Sequence, residues 1–183
     1  MIRAEQQKVI FFHNPKAAGS SINTWFLTNI PGSRHVEPQH IQPNHIDHVD
    51  YWSFCVVRNP WDRWVSWWCF WHDKQKRIDT SFEEYTMRYF SGDYVGMSGG
   101  EHSSLLQQYT MAEDVDYVLR YENLDEDFRV VQQKLNCYAT IPHKNSSRGR
   151  KHYTEYYTSK QLIDVIATNY EQDIEKYGYE YAV

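Results

Sequence analysis

The stretch FFHNPKAAGSSINTWF, residues 11–26, joins an apolar run to an amphipathic one through a short turn. The overlapping run KVIFFH, residues 8–13, is rich in β-forming residues and predicts a buried strand. A helix is predicted over residues 20–30, where Pro31 and Gly32 end the pattern. A strand, a glycine turn and a helix N-terminus together form an anion site, because the first N–H groups of a helix lack helical partners and the dipole favours negative charge.

The side chains of this turn suit a phosphate group. Lys16 supplies a positive charge, and Gly19 lets the backbone come close to a ligand. The lysine precedes the glycine, whereas the ATP-binding loop G-x-x-x-x-G-K-[ST] has it afterwards. No aspartate at a strand end offers itself to Mg²⁺, which phosphoryl transfer requires. The turn therefore predicts a phosphate site that works without a metal, and an ordinary strand–turn–helix connection is the alternative.

A second motif, CVVRNPWDRWVSWW, occupies residues 55–68. The apolar run at residues 51–57 predicts a strand that leads into it. Asn59 is a typical helix cap and Pro60 a typical first helical residue, so a helix is predicted from there to about residue 71. The second motif therefore repeats the order of the first, a strand followed by a helix start.

Two side chains of the second motif could hold a phosphate. Arg58 stands at the end of the predicted strand, and its planar guanidinium matches a phosphate monoester. Ser66, two helical turns further on, could donate its hydroxyl to the same group. The tryptophans have helical spacing, so an aromatic packing face is the alternative for the rest of the motif. It does not explain Arg58, because a buried unpaired guanidinium is costly.

The remaining elements alternate between strands and helices. They are a strand at 116–121, helices at 81–90, 123–136 and 158–177, and irregular segments at 31–50, 91–104 and 140–152. This alternation predicts an α/β fold with a mainly parallel sheet, as a single domain of residues 1–183. Ligands of such sheets bind at the carboxyl ends of the strands, where both motifs are expected.

Composition and charge exclude several classes of function. The 19 basic and 24 acidic residues give a net charge of −5, which disfavours a nucleic-acid or membrane-surface binder. No apolar run has the length of a membrane span and no leader is apparent, so we expect a soluble, cytoplasmic protein. The 3 cysteines have no metal or redox spacing, and we expect buried, reduced thiols.

The two motifs together resemble a known family. PKAAGSS, residues 15–21, followed by VVRNPWDRWVSW, residues 56–67, is similar to the sulfotransferases that use 3′-phosphoadenosine 5′-phosphosulfate, especially the Golgi carbohydrate sulfotransferases and their bacterial relatives. DYVLRYENLDEDF (116–128), NSSRGRKHYTEYYT (145–158) and YEQDIEKYGYE (170–180) extend the resemblance over nearly the whole chain. It implies a P-loop-NTPase-like three-layer fold, with a mainly parallel central sheet flanked by helices.

The resemblance also implies which residues hold the donor nucleotide, without a metal. The 5′-phosphosulfate would be bound by Lys16, Ala17, Ala18, Gly19, Ser20 and Ser21. The 3′-phosphate would be bound by Arg58 and Ser66. A basic loop at 144–151 would close over the nucleotide, with contacts from Asn145, Ser146, Ser147 and Arg148. The nucleotide product would be adenosine 3′,5′-bisphosphate.

The acceptor and the general base are less defined. The family resemblance implies a hydroxyl acceptor, and we expect a saccharide. Lys16 would stabilise charge on the leaving phosphate oxygen, and a base must take the hydroxyl proton. His40 is our first candidate for that base and His45 the second, with Glu37 as an alternative. His13 directly precedes the turn and is expected to shape it, and the Gly-rich segment 91–104 is expected to be a flap on the acceptor side.

Two other functions stay open at this point. A nucleotide-binding module that has lost catalysis would keep both motifs without a base, although the retained Lys16 argues against it. A small-molecule kinase on a related phosphate-loop fold would need Mg²⁺ and the G-K-[ST] ending. The requirement for Mg²⁺ separates a kinase from a sulfotransferase.

Overall fold

The computed structural model describes residues 1–77, 79–93, 107–144 and 149–182. Over that part, the chain divides into two compact units. The first consists of Met1–Arg58 and Leu106–Ser146, and the second of Asn59–Leu105 and Ser147–Val183. Each unit combines stretches that are distant in sequence. The single domain expected for the whole chain stays a prediction.

The first unit is built on a sheet, which has five strands among the described residues. They are β1 (Ile2–Ala4), β2 (Val9–Phe12), β3 (Ser33–His35), β4 (Trp52–Val57) and β5 (Tyr117–Arg120), in the order β3-β1-β2-β4-β5. β4 pairs in parallel with both β2 and β5, whereas β1 runs antiparallel to β2 and β3. The predicted α/β class is confirmed, and the three strands predicted from the sequence are those that pair in parallel.

The sequence pattern missed the two antiparallel strands because both are only three residues long. β3 is also half-buried to exposed, so it carries no apolar signal. The irregular segment predicted at 31–50 was therefore wrong in part. It contains β3 and a 3₁₀ turn at Pro43–His45.

The predicted helices begin close to the expected residues, but two of them end differently, and the short helix at Gln108–Met111 was not predicted. Among the described residues, the helices are α1 (Gly19–Asn29), α2 (Pro60–Cys69), α3 (Phe82–Ser91), α4 (Gln108–Met111), α5 (Leu124–Leu135), α6 (Lys160–Asn169) and α7 (Glu171–Tyr177). α2 stops at Cys69 and continues as a π-helical turn, Phe70–Lys74. The single helix predicted at 158–177 is two helices, because Tyr170 has a non-helical backbone that separates α6 from α7.

One face of the sheet is covered by α1 and α5. Phe54 on β4 lies at the centre of this contact, with ring centroids 5.1 Å from Phe11, 6.0 Å from Phe26 and 6.5 Å from Phe128. Trp25 of α1 packs edge-on against Phe128 of α5 at 4.9 Å. This aromatic core fixes α1 over the carboxyl end of β2, and thereby fixes the loop that joins them.

The second unit has an aromatic core of its own. Trp61, Trp64, Trp67 and Trp68 of α2 are all buried, as expected for a packing face. Two of the indole N–H groups donate to side-chain hydroxyls of the same unit. Trp64 donates to the Thr86 hydroxyl at 2.8 Å, and Trp67 donates to the Tyr85 hydroxyl at 3.1 Å. Across the described part of the chain, no helix is long and apolar enough to cross a membrane.

Candidate functional site

Residues 13–18, here called the lysine-first loop, connect β2 to α1 with an unusual backbone. Lys16 and Ala18 both have left-handed conformations, with φ of 66° and 58°. Non-glycine residues seldom adopt this conformation, and they concentrate at ligand sites when they do. Ala18 caps α1 without a side-chain hydrogen bond. The N-terminus of α1 is therefore suited to an external anion.

Gly19 is required by a neighbouring ring. A Cβ atom at this position would overlap the imidazole of His13, with Nε2 as the nearest atom. The His13 ring is buried and stacks on Phe11, with a centroid distance of 5.9 Å. The imidazole thus sits where a larger residue 19 would place its side chain. Only glycine lets α1 begin this close to the end of β2.

His13 is held as a neutral ring. Burial, followed by the charge of His40, lowers the pKa of His13 from 6.5 to about 3. The Gln39 side-chain amide donates to His13 Nδ1 at 2.8 Å, because an amide N–H₂ group cannot accept. The proton of His13 therefore resides on Nε2, which faces Gly19.

His40 lies against the lysine-first loop. Its Nδ1 is 2.9 Å from the carbonyl oxygen of His13, and the two rings meet edge to face at 4.6 Å. A carbonyl oxygen can only accept, so His40 carries its proton on Nδ1 and presents a lone pair on Nε2. The His40 side chain is exposed, as a base that receives a substrate proton must be.

The other base candidates are placed differently. His45 ends the 3₁₀ turn Pro43–His45 and is exposed. Glu37 is also exposed. Of these three candidates, His40 is hydrogen-bonded to the lysine-first loop.

Arg58 follows the last residue of β4 and reaches the lysine-first loop. It is 5% exposed, and its Nη1 donates to the carbonyl oxygen of Lys16 at 3.0 Å. The guanidinium lies over the ring of Tyr121, 3.9 Å from the ring centroid, which is a cation–π distance. The structure therefore brings Lys16 and Arg58 together, although they are 42 residues apart in sequence.

The residues around Arg58 include three that the sequence did not single out. Tyr121 supplies the stacking ring, and Gln108 and Asn14 lie in a buried hydrogen-bond network with the Arg58 backbone. Tyr121 could have been found, since it is the last residue of the strand predicted at 116–121, whose carboxyl end should face the site. Asn14 lies within the stretch of residues 11–26, although no role was assigned to it from the sequence. Gln108 has no signal in the sequence, because a buried glutamine is recognised only by its partners.

The serines at the start of α1 differ in exposure. Ser20 is exposed, whereas Ser21 is buried and its Oγ accepts the backbone N–H of Lys144 at 3.1 Å. A hydroxyl can accept and donate at once, so Ser21 still has a proton to offer. Ala17 is buried. This contact draws the start of the predicted basic loop to the start of α1.

The remaining residues predicted to bind the donor lie in the second unit or outside the described residues. Ser66 is half-buried in α2 and belongs to the second unit. Arg150 of the basic loop forms an ion pair with Asp62 and also donates to its carbonyl oxygen at 3.2 Å. Asn145, Ser146, Ser147 and Arg148 fall outside the described residues, as does most of the predicted 91–104 flap.

Within the described ranges, no group of three or more His, Cys, Asp or Glu side chains is arranged to hold a metal ion. The lysine-first loop and Arg58 thus offer positive charge and N–H donors, which are the partners of an anion.

Comparison with known proteins identifies the class. The model of the Sulfotransferase family matches residues 1–180, almost the full length. The chain belongs to the sulfotransferase family.

Two individual proteins are also similar. An uncharacterized protein from Archaeoglobus fulgidus is 31% identical over 85 residues, which cover 46% of this chain and 68% of that protein. The crystal structure of a sulfotransferase from Alicyclobacillus acidocaldarius matches with a TM-score of 0.43 and 13% identity. That match covers 72% of this chain and 56% of the other, so the chain spans little more than half of that protein.

Proposed function

We propose that this protein transfers the sulfuryl group of 3′-phosphoadenosine 5′-phosphosulfate to an acceptor hydroxyl, with a saccharide as the acceptor class. The observation that carries the proposal is the contact between Arg58 and the Lys16 carbonyl. It joins the cationic residue of the second motif to the lysine-first loop. A donor with one phosphate group at each end of its ribose needs two cationic residues in one site.

The 5′ end of the donor suits the start of α1. The helix begins at Gly19 without a side-chain cap, and the left-handed Ala18 turns the chain into it. The N–H groups of a first helical turn, the Ser20 hydroxyl and the Lys16 ammonium are all donors to phosphosulfate oxygens. The small side chain of Ala17 adds no bulk.

The 3′-phosphate suits Arg58. Its guanidinium lies over the Tyr121 ring, 3.9 Å from the ring centroid, and this contact restricts the movement of the fork. A fixed fork binds two phosphate oxygens at a smaller entropic cost than a flexible ammonium does. Ser66 would add a hydroxyl, as the family resemblance implies.

In the reaction, the donor supplies the sulfuryl group. The bond from sulfur to the phosphate oxygen breaks, and a bond from sulfur to the acceptor oxygen forms. Lys16 and the N-terminus of α1 stabilise the negative charge that builds on the leaving phosphate oxygen. His40 takes the acceptor proton on Nε2, while its Nδ1 proton stays bonded to the His13 carbonyl.

Calorimetric titration with adenosine 3′,5′-bisphosphate tests the donor site. We expect metal-independent binding to the wild type, and a loss of about tenfold or more in Arg58→Ala, since a charge-assisted contact to phosphate is removed. Arg129→Ala is the matched control, because Arg129 is an exposed arginine of α5 in the same unit. We expect it to bind like the wild type.

ATP and ADP, with and without Mg²⁺, serve as competing ligands in the same titrations. A preference for ATP that depends on Mg²⁺ would favour the kinase alternative. A different outcome is that the protein binds the bisphosphate but does not release it from 3′-phosphoadenosine 5′-phosphosulfate with any of a panel of saccharides and other alcohols. That outcome would favour a non-catalytic module or another acceptor class. Absence of any nucleotide binding would overturn the proposal.

A further inference from the structure

Gln108, the first residue of α4, holds the backbone of Arg58 from both sides. Its side-chain oxygen accepts the Arg58 backbone N–H at 2.8 Å, and its side-chain nitrogen donates to the Arg58 carbonyl oxygen at 2.7 Å. The side-chain amide thus pairs with a backbone residue as a neighbouring strand would. We call this two-bond contact the Gln108 clasp.

The clasp also connects to the lysine-first loop. Asn14 donates its side-chain N–H₂ group to the Gln108 oxygen at 3.1 Å and to the Val56 carbonyl at 2.9 Å. Asn14 and Gln108 are fully buried, with 0% exposure. A buried amide that loses its partner keeps the full cost of desolvation, so this network resists displacement.

The consequence is that Arg58 is fixed at two ends. The clasp sets its backbone, while the Lys16 carbonyl and the Tyr121 ring set its guanidinium. An apolar residue of similar size at position 108 would leave the Arg58 backbone N–H and carbonyl without these partners. The amide therefore holds the Arg58 backbone in one position.

We propose that Gln108 is a positioning residue that sets the discrimination between nucleotides with and without a 3′-phosphate. This proposal rests on the proposed function, in which Arg58 binds the 3′-phosphate. Because Gln108 acts through Arg58, its loss should weaken contacts to the 3′-phosphate and spare those to the 5′ end. A residue that only stabilised the fold would affect both kinds of nucleotide alike.

The test compares the dissociation constants of adenosine 3′,5′-bisphosphate and adenosine 5′-monophosphate. In Gln108→Met both hydrogen bonds of the clasp are lost at similar side-chain volume. We expect the preference for the bisphosphate to fall about tenfold, with the affinity for the monophosphate changed about twofold or less. Gln132→Met is the matched control, since Gln132 of α5 also donates to a backbone carbonyl, that of Ala139 at 2.8 Å. It should keep the wild-type preference.

A second variant keeps the test decisive if Gln108→Met does not fold. Gln108→Asn keeps a buried amide of unchanged charge but is one methylene shorter, so it cannot keep both hydrogen bonds of the clasp in place, and it should also lose preference for the bisphosphate. An unchanged preference in a folded variant, or an equal loss for both nucleotides, would overturn the role of Gln108 alone. A wild-type protein with no preference for the bisphosphate would overturn the proposed function as well.

Discussion

At the scale of single residues, the contacts of the lysine-first loop converge on His13. The His13 ring lies against Gly19, accepts a hydrogen bond from Gln39 and contacts the His40 ring edge to face. The backbone carbonyl oxygen of His13 accepts a hydrogen bond from His40. The hydrogen bond from Gln39 depends on an uncharged imidazole. A protonated ring could not accept from Gln39, and it would add a positive charge beside Lys16.

The depressed pKa of His13 predicts a loss of stability in acid. The unfolded chain takes up the proton near pH 6.5, whereas the folded protein takes it up only near pH 3. The contribution of the neutral ring is therefore complete above pH 6.5 and is lost as the pH falls from 6.5 to 3. Over that window the free energy of unfolding should fall by about 1.4 kcal/mol per pH unit because of this group.

Urea unfolding between pH 3 and pH 7 measures this slope. His13→Phe should be less stable at pH 7, since Gln39 loses its acceptor, but its slope should be shallower by about 1.4 kcal/mol per pH unit. His45→Gln is the control, because His45 is exposed and should leave the slope unchanged. Parallel slopes in wild type and His13→Phe would show that His13 is protonated equally in both states.

The proposed role of His40 as the general base predicts a change in kcat when this residue is replaced. If His40 removes the acceptor proton, His40→Gln should lower kcat by about 10²- to 10⁴-fold, and His45→Gln should leave it nearly unchanged. Protonation of the base removes its lone pair, so the wild-type rate should fall towards acid, and this acid limb should be absent from the residual activity of His40→Gln. Initial rates of bisphosphate release over a pH series measure both. A larger loss in His45→Gln would transfer the role to His45.

At the scale of elements, the start of α1 is set by packing and not by a cap. Ala18 offers no side-chain acceptor, and the helix begins where Gly19 meets the ring of His13. The left-handed residues 16 and 18 then let the chain make the turn within six residues. The side chain of the cap residue therefore makes no hydrogen bond to the first N–H groups of α1.

A double-mutant cycle tests this packing. Gly19→Ala should destabilise the protein by about 1–3 kcal/mol, because the new Cβ overlaps an imidazole that Gln39 and His40 hold in place. In a His13→Ala background the same substitution should cost nothing or stabilise slightly, since Ala favours a helix over Gly. Urea unfolding of the four proteins gives the coupling energy. Additive effects would mean that the ring moves aside without cost.

At the scale of the whole molecule, two compact units each have an aromatic core. In the first unit the core beneath α1 and α5 supports the lysine-first loop, since Phe11, one residue before the end of β2, and Phe26 of α1 both pack on Phe54. The net charge of −5 offers no general attraction to a polyanion. The proposed anion binding would therefore depend on local groups that this core holds in place.

The core of the first unit predicts a large effect of Phe54→Ala. Phe54 is fully buried, and its removal should lower the free energy of unfolding by about 3–5 kcal/mol through lost burial and the cavity left behind. Leu27→Ala on α1 is the control, since Leu27 is 47% exposed and should change stability by about 0.5 kcal/mol or less. Midpoints of urea unfolding measure both. Similar midpoints for the two variants would contradict the central place of Phe54.

The local features of this protein could be predicted from its sequence. It predicted the three strands that pair in parallel, the start of α1 and α2, and the packing face of α2, because hydrophobic periodicity and cap residues act over a few neighbours. The two motifs also pointed to the sulfotransferase family, which the family match confirms. The roles of Lys16, Arg58 and His40 stay predictions that the experiments above test.

Contacts between residues that are distant in sequence depend on the tertiary structure and could not be predicted. Gln108 lies 50 residues from Arg58 and 94 from Asn14, and no short pattern in the sequence announces a hydrogen bond over such a separation. The antiparallel strands β1 and β3 and the break at Tyr170 were missed for a related reason. Short elements gain their stability from the neighbours they pair with or pack against, and those neighbours are chosen by the fold and not by local propensity.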